Sequence, residues 1–144
     1  MLAPERRMTS SMSPVIVTSG GAPVLVLGSP GGDTIPNTVV RVLRNVVDYG
    51  MTIDLAVDAP RIHHGFVPDE IRYESARPPP PGSLAELRRL GHKVSAKTAT
   101  IGDANSILLE GGIAYGYADP REGGLALGPR SEPAQPASAR LTPP

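Results

Sequence analysis

A chain of 144 residues is one domain or less, and without cysteine it has no disulfide, thiol nucleophile or thiolate metal site. Lys and Arg number 14, as do Asp and Glu, so no basic field draws nucleic acid or anionic lipid, and neither is expected as a partner. Hydrophobic residues make up 40% but aromatics only 3%, so the core must be built from Val, Leu, Ile and Ala.

Residues 1–9 are polar and irregular. No apolar stretch follows Met1 to Arg7, so no signal peptide is expected, and no segment approaches the length that crosses a bilayer. Val15-Ile16-Val17 is β-branched and reads as a strand, Ser19-Gly20-Gly21-Ala22 as a turn, and Pro23 to Leu27 as the return strand of a hairpin. Both runs are apolar at consecutive positions, which predicts a pair covered on both faces. A helix follows, capped by Asp33 or Thr34, with Pro36 in its first turn. Val39, Val42, Leu43, Val46 and Val47 recur at helical spacing, Arg41, Arg44, Asn45 and Asp48 fill the other face, and Gly50 stops it. Thr52 opens a short second helix that ends before Pro60.

Ile71 to Glu74 alternates as a strand, and Pro78 to Pro81 reads as a stiff surface connector. Ser83 and Glu86 form a capping box for a helix carrying Leu84, Leu87 and Leu90, stopped by Gly91. Lys93 to Ser95 is a short strand. Ser106 to Leu109 and Ile113 to Tyr117 form a second hairpin around Glu110-Gly111-Gly112. Residues 129–144 read as a Pro-rich, disordered tail. This order predicts an α+β fold, with helices packed on a face of a mainly antiparallel sheet.

Gly31 and Gly32 stand where a strand gives way to a helix. Without Cβ atoms they let a reacting group approach the backbone, and the helix start adds partial positive charge. Such a pair suits a developing oxyanion; it equally suits a tight strand-to-helix turn without ligand. Neither a phosphate loop nor a dinucleotide fingerprint fits, because Asp33-Thr34 follows the pair and the G-x-G-x-x-G spacing is missing. Ser10 and Ser11 could hold a carboxylate or simply form the polar entry to the strand. His63-His64 does not read as a metal pair, since adjacent residues do not share a face. It and His92 are expected to be structural. Asp103 and Asp119 read as single turn carboxylates. No cofactor or metal is expected.

Several short motifs resemble, in order and spacing, the small-subunit portion of gamma-glutamyltranspeptidases, also called glutathione hydrolases. They are Ser10-Ser11-Met12-Ser13-Pro14, Gly28-Ser29-Pro30-Gly31-Gly32, Asp48-Tyr49-Gly50-Met51, Ala59-Pro60-Arg61-Ile62-His63-His64, Pro68-Asp69-Glu70 and Asp119-Pro120-Arg121. The likeness runs over residues 10–128. It implies part of an N-terminal-nucleophile hydrolase fold, a four-layer αββα sandwich. It also implies gamma-glutamyl transfer or glutathione hydrolysis through a Thr acyl-enzyme. Gly31 and Gly32 match the family's oxyanion-hole glycines, Ser10 and Ser11 the serines that hold the alpha-carboxylate of the gamma-glutamyl group, and Arg61 a position read as structural.

The family's nucleophilic Thr lies upstream of the serine pair in a Thr-rich motif followed by a His. Only nine residues precede Ser10 here, and that motif is not among them. The acidic residue for the substrate's alpha-amino group and the Arg that pairs with its carboxylate are not matched either. Thr9 would adjoin the serine pair rather than face it, so it does not replace the nucleophile. The expectation is a chain inactive alone. The alternatives are a split enzyme completed by a large-subunit-like chain acting on gamma-glutamyl compounds such as glutathione, or a non-catalytic interaction domain or gene remnant. Relatives are usually exported; the compartment of this chain stays open.

Overall fold

The computed structural model describes residues 4–128, so the tail read at 129–144 lies outside the described residues. The first hairpin pairs β1 (Val15–Ser19) with β2 (Ala22–Gly28). A 3-10 turn, Gly32–Thr34, leads into α1 (Ile35–Val47), and α2 (Ile53–Asp58) follows. The second hairpin, β6 (Asn105–Glu110) and β7 (Ile113–Tyr117), joins the first through β2. The result is a four-stranded antiparallel sheet of order β1-β2-β6-β7.

A second, three-stranded sheet has the order β3-β4-β5, from β3 (Ile62–His64), β4 (Ile71–Glu74) and β5 (Val94–Lys97). Its first pair is antiparallel. The β4–β5 pair is parallel, and α3 (Pro81–Arg89) makes the crossover, as parallel neighbours require. A mainly antiparallel α+β fold is therefore what forms.

The period of two along the strands decides what the core receives. Leu25 and Leu27 of β2 point inward with Val15 and Val17 of β1 and Leu108 of β6. They meet Ile35, Val39 and Val42 of α1 and Ile53, Ala56 and Val57 of α2. The opposite row of the sheet, Ile16, Val26 and Ile107, lies in register across three strands and carries no helix. Ile16 remains 67% exposed. The expectation of cover on both faces is thus not met among the described residues, because the helices α1 and α2 pack on one face only.

Four local readings also change. Val47 drops out of the α1 stripe and is exposed, while Asn45 is buried and donates from Nδ2 to the Ala56 carbonyl at 3.0 Å, tying α1 to α2. The helix α3 starts at Pro81 with Pro80 at its cap, so Ser83 lies inside the first turn and forms no capping box. Pro preorganises a helix start without a side-chain cap, and Glu86 instead binds Arg89 at 2.6 Å. The proline connector is not wholly on the surface, since Pro79 is buried. At α1, Thr34 occupies the cap position but turns its hydroxyl back to the Gly31 carbonyl at 2.9 Å. Among the described residues no helix is long and apolar enough to cross a membrane.

Candidate active site

The loop between β2 and α1 carries Ser29, Pro30, Gly31 and Gly32. Gly31 sits at φ 130°, ψ 15°, a region that strains any residue with a side chain. A Cβ there would fall 2.5 Å from Thr34 Oγ1 and 3.2 Å from Gly102 Cα, so the position has no room for a methyl group. Both glycines are exposed. Among the described residues, no carbonyl or side chain accepts a hydrogen bond from the N–H of Gly31 or Gly32.

The serine pair arrives from a distant part of the chain. Ser11 Oγ donates to the Gly32 carbonyl, a contact across 21 residues of sequence. Ser13 Oγ donates to the Ser11 carbonyl at 3.0 Å and steadies that strand entry. Ser10 turns the other way, its Oγ accepting from the Met12 N–H at 3.3 Å. Of the four residues singled out by sequence, the structure thus brings Ser11 into direct contact with Gly32, while Ser10 bonds only within its own segment.

Asp33 extends this loop toward the second sheet. Its Oδ2 lies 3.3 Å from His63 Nε2 and 3.3 Å from Arg72 Nη2. His63 is buried, while its neighbour His64 is outside, 3.1 Å from Asp69 Oδ1. The two rings diverge, as adjacent strand residues must. His92 is exposed at the end of α3.

Behind the glycine loop lies an ion cluster that single-residue reading did not assemble. Arg61 Nη2 meets Asp119 Oδ2 at 2.6 Å, Arg121 meets the other Asp119 oxygen at 3.1 Å, and Arg121 Nε meets Glu74 Oε1 at 2.7 Å. All four side chains are buried. Asp119 is thus not a lone turn carboxylate but the centre of this network. Burial alone pushes its carboxyl up, yet the Ala104 N–H and the Arg61 guanidinium outweigh that and hold it below the ordinary carboxylate range. For Arg121, burial works against the charged form and is overcome by Glu74 and Asp119. Arg61 is pulled down by burial and then by Arg121. The structural role read for Arg61 fits its bonds to the carbonyls of Ile101, Gly102 and Val57. The signal for the cluster was Asp119-Pro120-Arg121, but nothing in linear sequence joins it to Arg61 or Glu74.

An antiparallel sheet backed on one face by a helix pair, with two free glycine amides just beyond the end of the inner strand β2, is part of an N-terminal-nucleophile hydrolase fold. The model of the gamma-glutamyltranspeptidase family matches residues 1–128, and the chain belongs to that family. It is 43% identical over 121 residues to the glutathione hydrolase proenzyme of Escherichia coli (strain K12), a match covering 83% of this chain and 20% of that protein. To the glutathione hydrolase proenzyme of Pseudomonas aeruginosa it is 37% identical over 127 residues, covering 88% of this chain and 23% of the relative. The chain therefore spans about a fifth of the length of these relatives. The gamma-glutamyltranspeptidase from Pseudomonas nitroreducens complexed with L-DON superposes with a TM-score of 0.82 at 36% identity, covering 90% of this chain and 67% of that one.

Proposed function

We propose that this chain supplies the oxyanion-binding and carboxylate-binding part of a gamma-glutamyl transfer site. The nucleophile, an N-terminal Thr, comes from a polypeptide segment outside these 144 residues. The observation that carries this reading is the pair of unengaged amides at Gly31 and Gly32 with the Ser11 hydroxyl seated on the Gly32 carbonyl.

The chemistry follows from those groups. The Thr oxygen attacks the gamma-glutamyl carbonyl carbon, and the carbonyl oxygen gathers negative charge. The N–H groups of Gly31 and Gly32 donate to that oxyanion, a form of stabilisation worth about 3–4 kcal/mol per donor. Collapse expels the amine, which is cysteinylglycine when the donor is glutathione, and leaves a gamma-glutamyl ester on the Thr. Water then yields glutamate, or an amino acid or peptide amine takes the acyl group. Ser10 and Ser11 hold the alpha-carboxylate, the Ser11 hydroxyl turning its one proton from the Gly32 carbonyl to the substrate, so that the reacting carbonyl reaches the glycine amides.

The open face of the four-stranded sheet supports a completing partner. Ile16, Val26 and Ile107 form an apolar row that no helix covers among the described residues, and a groove of about 420 Å³ lies on it between Pro14, Val26, Ile107, Leu125 and Leu127. A second sheet would bury that row, as layered folds demand. In this reading the cover is the large-subunit-like polypeptide that also brings the Thr.

The test is release of a chromogenic anilide from gamma-glutamyl-p-nitroanilide. The 144-residue chain alone should give no turnover, and the chain joined with a Thr-bearing large-subunit-like segment should give enzyme-level turnover. Turnover by the chain alone, or none after assembly, contradicts the reading.

A further inference from the structure

In a trans peptide unit the C=O and the next residue's N–H point in opposite directions, so a group that holds the carbonyl also aims the amide. The Gly31 N–H belongs to the unit whose carbonyl is on Pro30. Ser29 Oγ donates to that carbonyl at 2.6 Å. The Gly32 N–H belongs to the unit whose carbonyl is on Gly31. Thr34 Oγ1 donates to that carbonyl at 2.9 Å, alongside the Thr34 N–H at 3.1 Å. Each amide proposed for the oxyanion is thus gripped by a hydroxyl from behind.

The Ser29 hydroxyl is itself anchored. Ser29 Oγ accepts from the Asp103 N–H at 2.9 Å, which joins the glycine loop to the segment Ile101–Ala104. Side chains from three other places fix that segment. The Ile101 N–H donates to Glu74 at 2.8 Å, its carbonyl accepts from Arg61 at 3.0 Å, and the Ala104 N–H donates to Asp119 at 2.7 Å. Gly102 lies at φ 69°, and a Cβ on it would fall 2.7 Å from Ser29 Oγ and 2.8 Å from Thr38 Cγ2. Thr34 is buried, and its carbonyl accepts from the Thr38 hydroxyl at 3.0 Å.

We propose that Ser29 and Thr34 are positioning residues that aim and polarise the Gly31 and Gly32 amides through the carbonyls of the same peptide units, with Ile101–Ala104 as the fixed backstop. Donation to a carbonyl draws electron density from its peptide nitrogen and strengthens the N–H as a donor, the cooperativity expected of linked hydrogen bonds. Fixed peptide planes also spare the reorganisation that a free loop would need at the moment charge develops. The inference rests on the oxyanion role of the two glycines. The aiming of the amides is measurable apart from that role.

The test uses the assembled enzyme with this chain labelled by 15N-glycine. Ser29→Ala and Thr34→Val each remove one hydroxyl with little change of shape, and Thr34→Ser keeps it. Thr100→Ala is the control: its hydroxyl binds Glu122 at 2.8 Å and touches neither peptide unit. Expected is a fall in kcat of about 10–100-fold for Ser29→Ala and Thr34→Val, the scale of a small misplacement of reacting groups. KM should hold, the Gly31 and Gly32 amide signals should move, and Thr34→Ser and Thr100→Ala should stay near the parent. Unmoved amide signals overturn the proposal whatever happens to kcat. Amide signals that move while kcat is unchanged uphold the aiming by Ser29 and Thr34 and instead defeat the oxyanion reading. A variant that fails to fold is replaced by the other, since either hydroxyl alone decides the question.

Discussion

Gly31 is where an unusual backbone conformation meets the proposed oxyanion role. Its φ of 130° and the crowding by Thr34 and Gly102 mean that Gly31→Ala must displace either the loop or the 101–104 segment. The expected cost is about 1–3 kcal/mol, the range for a strained backbone position, read from denaturant unfolding of the assembled protein. Ser11→Ala behaves differently, because the hydroxyl is exposed and its bond to the Gly32 carbonyl adds little to folding. Its loss should appear in substrate binding: KM for a gamma-glutamyl anilide should rise about tenfold, the worth of one hydrogen bond to a charged group. An unchanged KM would remove Ser11 from the carboxylate site. The serine and glycine motifs were visible in sequence because each is local. The contact of Ser11 with Gly32 was not, since it spans 21 residues and depends on the pairing of β1 with β2.

Among elements, the two hairpins, the strand β4 and the helices α1 and α2 follow from β-branched runs, glycine turns and the 3.6-residue stripe, and were legible; the three-residue β3 was not, being too short to show a period. The parallel β4–β5 pair was not, because strand direction is set by the α3 crossover rather than by composition. Nor was the burial of Asn45, since a polar residue on an apolar helix face is recognised only when its partner carbonyl on Ala56 is known. The ion cluster has the same origin: its members come from the residue before β3, the end of β4 and the segment after β7, and meet only after folding. Asp119→Ala should cost about 3–5 kcal/mol, because it strands the Arg61 charge and the Ala104 N–H in the interior. The pH dependence has a definite sign. The folded-state pKa of Asp119 is depressed, so its stabilisation is full above the unfolded value of about 3.9 and is lost as pH falls through the lower folded value. Asp119→Asn should flatten that acid limb of the unfolding curve, and an unchanged limb would show that Asp119 does not carry it.

At the scale of the whole molecule, one face of the large sheet packs against α1 and α2 and the other is the face proposed to take a second layer. Ile107 lies on the uncovered row, so Ile107→Lys should leave the helix-backed core intact by circular dichroism while weakening assembly with the large-subunit-like partner in sedimentation. Assembly unaffected by that charge would place the partner elsewhere. What the Gly31 and Gly32 amides bind decides the proposed function. The most direct measurement is a crystal structure of the assembled enzyme trapped with a tetrahedral mimic of gamma-glutamyl transfer. The mimic's oxyanion should lie about 2.7–3.1 Å from both amide nitrogens, with its alpha-carboxylate on Ser10 and Ser11. An oxyanion held by other donors, with the two glycine amides turned away from it, would rule that function out.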